Sequence, residues 1–163
     1  MKKVFLVLAL TFCSTYLFAQ ESKLYHPDAN AVKEIADAVS KAKAEHKYVL
    51  IQGGGNWCSW CIEFARFAKA DPQIDSIIRS AFVWYHLNYS KENMNKEIFE
   101  KYGYAQRFGF PVFIILDENG NRIHTQNSEY LEDGKKSYDK EKVMSFLESW
   151  SPAAMDPKLY EKG

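Results

Sequence analysis

Hydrophobic residues along the chain occur in two patterns, continuous runs and helical repeats. Continuous apolar runs bounded by turn-forming residues predict buried strands at 48–52, 81–89 and 112–116. Asn119–Gly120 lies just after the third run, and this dipeptide is typical of a tight hairpin in which both residues take positive φ angles. The returning segment 122–126 is therefore predicted to be the antiparallel partner of 112–116.

Between the strands, apolar residues recur every three or four positions, which predicts amphipathic helices. The predicted helices span 29–46, 58–70, 91–102 and 143–150, with a short additional helix from 72 onward. Asp28 and Asp71 precede two of them and have side chains suited to an N-cap. The polar segment 127–140 has no apolar period and is predicted to be a surface loop, and the tail 153–163 to be loosely packed.

The order of these elements predicts an α/β fold. Helices that alternate with the early strands imply parallel crossovers, and the late hairpin adds an antiparallel edge. We therefore expect a central mixed sheet of about four strands, flanked by helices. The chain has 163 residues, enough for one domain with its own core after a short leader is removed. The predicted domain spans 20–163, with its core at about 29–150.

The first 19 residues have the organisation of a signal peptide. Lys2–Lys3 is a positively charged start, residues 4–10 are apolar, and 17–19 offer a cleavage point. A permanent membrane anchor is one alternative, but the apolar stretch is shorter than the ~18 residues of a spanning helix. Lipid attachment at Cys13 is another, but the bulky Phe12 precedes it where a small residue is expected. The prediction is an exported, periplasmic protein with residues 1–19 removed.

Charge and cysteine content narrow the possible functions. Without the leader, 19 basic and 21 acidic residues remain, so a basic surface for nucleic acid is not expected. The same removal leaves two cysteines, Cys58 and Cys61. Structural disulfides in small exported domains close long loops, whereas a bridge across two residues closes almost none. The pair is therefore predicted to serve redox chemistry.

The predicted position of the pair explains how that chemistry could work. Residues three apart lie on one face of a helix, so Cys58 at the helix start and Cys61 one turn later can meet. The helix N-terminus favours an anionic sulfur and lowers the pKa of Cys58, with the amides of residues 59–61 as expected donors. Cys58 is thus the predicted nucleophile, and Cys61 the thiol that resolves the mixed disulfide.

Other uses of the two cysteines fit less well. Haem attachment would need a histidine at Ile62, and copper delivery a longer cysteine spacing. Zinc would need two further ligands at partner spacing. The four histidines are scattered and are expected at the surface or in loops: His26, His46, His86 and His124. A phosphate loop at 53–55 would need a following Lys-Ser/Thr, so these glycines predict a loop or a close backbone approach. No metal site and no separate cofactor are predicted.

Two separated motifs resemble those of the thioredoxin-like superfamily. One is Trp57–Cys58–Ser59–Trp60–Cys61 after a strand, and the other is Gly109–Phe110–Pro111 before a later apolar strand. The first is similar to exported bacterial thioredoxin-fold proteins that reduce or isomerise disulfides. The resemblance implies a cis Pro111 that faces the cysteine pair, with Phe110 offering backbone hydrogen bonds to a substrate; a trans proline that merely opens the strand is the alternative.

The chain departs from the family pattern beside the cysteines. Many thioredoxins have a buried aspartate six residues before the first cysteine, where this chain has Gln52. Ser59 and Trp60 stand between the cysteines, where the family often has a proline. Trp60 is predicted either to form an apolar landing surface for a substrate or to pack against the following helical turn. These departures predict a dedicated exported function rather than general thioredoxin activity.

The combined prediction is a protein-disulfide oxidoreductase of thioredoxin fold. Cys58 and Cys61 are its catalytic residues, and Trp57, Trp60, Phe110 and Pro111 are its expected substrate-binding residues. Reduction or isomerisation of disulfide-containing or unfolded exported proteins is the favoured function, with a membrane thiol reductase as possible electron donor. The alternatives are a disulfide-donating oxidase and a non-catalytic thioredoxin-fold binding module.

Overall fold

The computed structural model of the chain describes residues 23–161. The predicted signal peptide, with Cys13, lies outside the described residues, so its cleavage and the export of the protein stay predictions. Within residues 23–161, no helix is long and apolar enough to cross a membrane.

The described part contains five α-helices and four strands, in the predicted order. The helices are α1 (Ala31–Ala44), α2 (Ser59–Ala70), α3 (Pro72–Ala81), α4 (Lys96–Lys101) and α5 (Lys140–Ser149). The strands are β1 (Tyr48–Gly54), β2 (Phe82–Asn88), β3 (Val112–Leu116) and β4 (Arg122–Asn127). Three short 3-10 turns occur at Ala105–Phe108, Ser128–Leu131 and Pro157–Leu159.

The strands form one mixed sheet in the order β2-β1-β3-β4. β1 and β2 run parallel, with Gln52 opposite His86. β3 lies antiparallel to β1 and also to β4. Two crossover helices join β1 to β2, and a five-residue loop joins β3 to β4, as the sequence predicted. The predicted α/β fold class is thus confirmed.

Helices cover both faces of this sheet and create two apolar cores. Val49 and Ile51 point to the face covered by α1 and α4. Leu50 points to the opposite face, where α2, α3 and α5 pack. All five residues of β3 are buried, because this central strand is covered on both sides. The alternation along β1 also decides the direction of Gln52, which lies on the α2 face with Leu50.

Three local details were predicted wrongly. Gly53 and Gly54 were expected in a loop, but β1 continues through both. The cap of α1 is Asn30, whose side chain accepts a hydrogen bond from the amide of Lys33 at 3.0 Å, and not Asp28. In the β3–β4 hairpin, Gly120 has a φ of 81°, whereas Asn119 is not among the described residues with positive φ.

Residues 91–95 were predicted to be helical, but they belong to the loop 89–95, which precedes α4. Asparagine side chains bond to its backbone instead: Asn88 Nδ2 donates to the carbonyl of Asn93 at 2.7 Å. Asn95 Nδ2 donates to the carbonyl of Asn88 at 2.8 Å, and Asn95 has a left-handed φ of 47°. Such side-chain bonds offer the backbone an alternative to the helix, and here the alternative prevails.

The segment 127–140 is also more ordered than the predicted surface loop. It contains the 3-10 turn Ser128–Leu131, and both Leu131 and Tyr138 are buried in the core on the α2 face. The Tyr138 hydroxyl donates a hydrogen bond to the carbonyl of Trp60 at 3.0 Å. This segment therefore packs against the first turn of α2 and holds it by a hydrogen bond.

Candidate active site

Helix α2 begins at the cysteine pair. Ser59 is its first residue and Cys58 is its N-cap, in an extended conformation. The amide of Cys61 donates a hydrogen bond to Cys58 Sγ at 3.1 Å. Amides of residues 59–61 were expected to serve the sulfur, and among the described hydrogen bonds Cys61 provides the donor. A thiolate at this position would face the positive end of the α2 dipole, which lowers its pKa.

Cys58 and Cys61 form a disulfide, with an S–S distance of 2.08 Å and a Cα–Cα distance of 5.2 Å. Cys58 is 6% exposed and Cys61 is 0% exposed. Cys58 is thus the more exposed residue of the pair. The attacking role of Cys58 and the resolving role of Cys61 stay predictions.

An aromatic surface borders the accessible sulfur. Trp57 is 61% exposed, and its Nε1 donates a hydrogen bond to the carbonyl of Tyr89 at 2.7 Å. Its ring meets Phe110 edge-on at 5.7 Å, and Phe110 in turn lies 4.8 Å from the ring of Tyr89. A groove of about 330 Å³ runs beside Trp57 and Tyr89 to Met94. Substrate binding by Trp57 stays a prediction.

Phe110 and Pro111 immediately precede β3. The Phe110–Pro111 peptide bond is cis. Phe110 packs against the buried cluster formed by Tyr25, Cys58 and Cys61. Pro111 is buried and leads directly into β3. The structure thus brings Phe110 to the cysteines, and the binding of substrate backbone at this position stays a prediction.

Trp60 differs from Trp57 in its surroundings. It is half-buried, and its ring packs edge-on against Tyr138 with 5.5 Å between centroids. Tyr138 comes from the segment before α5, not from the next turn of α2 as the packing alternative assumed. Part of the Trp60 side chain remains exposed, and its contact with a substrate stays a prediction.

Two buried polar side chains, Tyr25 and Gln52, lie next to Cys61 on the inner side of the disulfide, together with the backbone of Gly54. Gln52 Nε2 donates to the carbonyl of Cys61 at 2.9 Å and to the hydroxyl of Tyr25 at 2.8 Å. Tyr25 and Gln52 are both fully buried. A Cβ placed on Gly54 would lie 2.5 Å from Cys61 Sγ and 2.8 Å from the Tyr25 hydroxyl. Because Gly54 has no side chain, the phenol of Tyr25 and the sulfur of Cys61 can both pack against its backbone. This is the close backbone approach that the glycines predicted.

Sequence analysis missed Tyr25 as part of the site. Residues 23–29, which we call the strap, precede α1. The strap lies against Asn56 in the loop just before the cysteine pair. Asn56 Oδ1 accepts a hydrogen bond from the amide of Tyr25 at 3.1 Å, and Asn56 Nδ2 donates to its carbonyl at 2.8 Å. Asn93 Nδ2 also donates to the carbonyl of Pro27 at 3.0 Å. The strap has no periodic apolar pattern, so a single buried tyrosine within it gave no signal.

His86 was predicted to lie at the surface or in a loop, and this was wrong. It belongs to β2 and is partly buried, opposite Gln52 and edge-on to the ring of Tyr25 at 5.6 Å. Burial lowers the pKa of His86 to about 4, with smaller contributions from the charges of Lys69 and His26. Its Nε2 has no hydrogen-bond partner among the described residues. His86 is therefore neutral at pH 7.

Metal-binding side chains do not cluster in the part of the chain that the structure describes. Within residues 23–161, no group of three or more His, Cys, Asp or Glu is placed to hold a metal ion.

Comparison with known proteins identifies the family. The sequence profile of the Thioredoxin-like family matches residues 30–118, more than half of the chain. The protein belongs to the thioredoxin-like family. The matched segment includes both motifs, from Trp57 through Pro111. A search of curated proteins finds no match to this thioredoxin-like chain.

Solved structures agree with the thioredoxin-like fold. A disulphide isomerase from Xylella fastidiosa Temecula1 has a TM-score of 0.69 at 20% identity, over 79% of this chain and 97% of that one. The oxidised DsbD C-terminal domain of Neisseria meningitidis has a TM-score of 0.55 at 16% identity, over 75% and 97%. A thioredoxin from Thermus thermophilus has a TM-score of 0.50 at 16% identity, over 70% and 81%. At these identities the likeness shows the fold alone.

The fold and the disulfide together support thiol–disulfide exchange. The thioredoxin-like family assignment and the Cys58–Cys61 disulfide are consistent with a redox enzyme. Which disulfides it acts on, and in which direction, belongs to the proposal below.

Proposed function

We propose that this protein reduces or isomerises disulfides in exported proteins. The observation that carries the proposal is the difference between two bonded sulfurs at one helix terminus. Cys58 retains some exposure and accepts the Cys61 amide, whereas Cys61 is fully buried behind it. A nucleophile that is accessible and stabilised as an anion, next to a resolving thiol that is not accessible, is the arrangement that disulfide exchange requires.

In the proposed reduction, the Cys58 thiolate attacks one sulfur of a substrate disulfide. The substrate S–S bond breaks, a Cys58–substrate disulfide forms, and the released substrate thiolate takes up a proton. Cys61 loses its proton and attacks Cys58 Sγ, which releases the second substrate thiol and forms the Cys58–Cys61 disulfide. Two electrons have then passed from the pair to the substrate. In isomerisation a substrate thiol attacks the mixed disulfide instead, and Cys58 leaves as the thiolate.

The pair itself is the proposed redox centre, so the reaction requires no separate cofactor. Each reduction leaves the pair oxidised, and a dithiol donor must restore it before the next turnover. For a protein exported to the periplasm, as the leader at 1–19 predicts, we propose a membrane thiol reductase as that donor.

The aromatic surface supports a polypeptide substrate rather than a small disulfide. Trp57, Tyr89 and Phe110 offer apolar contact area immediately beside Cys58. Exposed aromatic rings next to a reactive sulfur suit the apolar side chains that unfolded or misfolded proteins display. Disulfide-containing or unfolded exported proteins are therefore the proposed clients.

Two cysteine variants test the proposal. Cys58→Ser should abolish reduction of a model protein disulfide by a dithiol-regenerated enzyme. Cys61→Ser should accumulate a mixed disulfide with the client, because the resolving thiol is missing. Retention of full turnover by Cys58→Ser would refute the assignment. A parent protein that shows no turnover, and that binds clients equally well when either cysteine is replaced, would be the non-catalytic binding module.

The reduction potential of the pair decides the direction of exchange. For a two-electron couple, about 30 mV corresponds to about 1.4 kcal/mol. Equilibration of the protein with glutathione buffers at pH 7 gives this potential directly. A potential near that of thioredoxin, roughly −270 mV, would support a reductase, whereas one near roughly −120 mV would identify an oxidase. Mass spectrometry of the protein from periplasmic extract, with residues 1–19 absent, tests export.

A further inference from the structure

The chain lacks the buried carboxylate that serves the resolving thiol in many thioredoxins, because that position is Gln52. An amide cannot take up or release a proton near pH 7, so it cannot perform the same role. The resolving step proposed above still requires a Cys61 thiolate in a buried environment, where burial alone raises a thiol pKa. Some other group must therefore stabilise that anion.

The hydrogen bonds of Gln52 determine the direction of the Tyr25 hydroxyl. The carbonyl of Cys61 can only accept, so the atom of Gln52 that faces it must be the Nε2 donor. The same Nε2 lies 2.8 Å from the Tyr25 hydroxyl, which therefore accepts its second hydrogen. The phenol oxygen is thus occupied as an acceptor, and its own hydrogen must point elsewhere.

Cys61 Sγ lies across Gly54 from that hydroxyl. A Cβ on Gly54 would lie 2.5 Å from the sulfur and 2.8 Å from the hydroxyl, so the two atoms are no farther apart than the sum of these distances, and no side chain of Gly54 stands between them. The described hydrogen bonds give the hydroxyl hydrogen of Tyr25 no acceptor. When the disulfide is reduced, the sulfur of Cys61 is free to take a hydrogen bond from this side.

We propose that the hydroxyl of Tyr25 donates a hydrogen bond to the Cys61 thiolate. This bond would lower the pKa of Cys61 and so accelerate the resolving step. This inference rests on the proposed function, because it concerns the second half of the exchange. Tyr25 keeps its proton throughout. The proton lost by Cys61 passes to solvent, and the leaving substrate thiolate takes up another.

The surroundings of the phenol suit a permanent donor. Burial raises the pKa of Tyr25 far above neutrality, and the Gln52 hydrogen bond opposes this only in part. From β2, the neutral ring of His86 lies edge-on to Tyr25. From the segment before α5, Tyr138 is the remaining titratable group that influences Tyr25, and burial raises its pKa too. Cys58, the N-cap of α2, lies in the same buried cluster as Tyr25. His86 and Tyr138 are both uncharged at pH 7.

The test measures the pH dependence of the resolving step alone. Reduced protein in a Cys13→Ser background reacts with excess glutathione disulfide, is quenched with acid at set times, and is analysed by mass spectrometry. The decay rate of the Cys58–glutathione species against pH gives the ionisation midpoint of Cys61. Tyr25→Phe removes only the hydroxyl, and Tyr138→Phe is the matched control, because its buried hydroxyl bonds to the carbonyl of Trp60.

Tyr25→Phe should raise the midpoint by about one pH unit, the effect of losing one hydrogen bond to a charged group. Resolution at neutral pH should slow only about threefold, because a thiolate of higher pKa is also more nucleophilic, and for the same reason Tyr25→Phe should resolve faster than the parent at high pH. Tyr138→Phe should leave the midpoint unchanged. Replacement of Tyr25 by 3,5-difluorotyrosine, a stronger donor of the same shape, should lower the midpoint instead. This second variant keeps the test decisive if Tyr25→Phe does not fold.

An unchanged midpoint in Tyr25→Phe or in the fluorinated protein would overturn the inference, as would equal shifts in Tyr25→Phe and Tyr138→Phe. Either result leaves the proposed function intact, provided that the parent protein forms and resolves its mixed disulfide. Failure of the parent to form the Cys58–glutathione species would instead refute the proposed function itself.

Discussion

Gly54 offers the sharpest test of how the site is packed. An alanine at this position would place its Cβ 2.5 Å from Cys61 Sγ and 2.8 Å from the Tyr25 hydroxyl. Neither atom can move freely, because one belongs to the disulfide and the other is bonded to Gln52. Gly54 is not among the glycines with positive φ, so steric overlap and not backbone strain is the expected effect.

The magnitude follows from these contacts. Overfilling a well-packed core costs about 1–3 kcal/mol. Displacement of the phenol from Gln52 removes a buried hydrogen bond, worth about 1 kcal/mol. Gly54→Ala should therefore lower the free energy of unfolding by about 3 kcal/mol. Gly53→Ala is the control in the same strand: its Cβ would lie 3.1 Å from the side chains of Phe99 and Val112, which can yield by tenths of an ångström.

Urea denaturation of the oxidised proteins at pH 7, followed by tryptophan fluorescence, measures both losses. Gly53→Ala should lose less than about 1 kcal/mol, because alanine suits a strand interior better than glycine. Addition of Tyr25→Phe should recover about 1 kcal/mol in Gly54→Ala, since it removes one of the two overlapping atoms. Equal stability of the two alanine variants, within about 0.5 kcal/mol, would refute the packing argument.

Three further outcomes are expected. His86 has a pKa lowered to about 4 in the fold, below its unfolded value of about 6.5, so its contribution to stability is complete above pH 6.5 and is lost as pH falls towards 4. The unfolding free energy should decline by roughly 3 kcal/mol more over this window than in His86→Gln. Asn56→Ala removes both side-chain bonds to Tyr25 and should cost about 1–3 kcal/mol, with faster amide exchange at residues 23–29 than in wild type. Trp57→Ala should lower kcat/KM for a protein disulfide about tenfold while leaving glutathione disulfide unaffected; equal losses for both would exclude a role in client binding.

The fold was predictable where local pattern and tertiary environment agree. Residues 112–116 are continuously apolar because β3 is buried on both faces, and the pattern shows this directly. Asp71–Pro72 separates α2 from α3, and the Asp71 side chain caps the amides of Gln73 and Ile74 as expected. Local hydrogen bonding and local apolar spacing decide these features, so one sequence suffices to find them.

Prediction failed where side-chain hydrogen bonds or neighbouring elements, and not apolar spacing, decide the structure. Residues 91–95 have helical spacing, but side-chain bonds from three asparagines hold an alternative loop. Tyr138 lies in a polar segment, and only the neighbouring α2 makes a buried position for it. The pattern of a single segment carries no information about a pocket that other segments form.

The candidate site divides in the same way. The proposed nucleophile, its position at the helix cap and the proposed resolving cysteine follow from residues 57–61, because the helix geometry that joins them is local. The environment of the resolving cysteine does not, since Tyr25 comes from the strap and lies 36 positions earlier in the chain than Cys61. Gln52 at the position of the family's aspartate showed from the sequence that the buried carboxylate is absent. It did not show which group takes over the role of that carboxylate.

The structure suggests why glutamine and tyrosine occur together. A buried aspartate stabilises no second anion beside it, and it must exchange protons in a site from which water is excluded. Gln52 instead carries no charge, and its Nε2 donates both to the carbonyl of Cys61 and to the Tyr25 hydroxyl. In the proposed arrangement the hydroxyl then directs its own hydrogen to the sulfur. Stabilisation of the thiolate then depends on a neutral donor whose protonation does not change near pH 7. The resolving step should consequently show one ionisation, that of Cys61, where a carboxylate-assisted site shows two coupled ones.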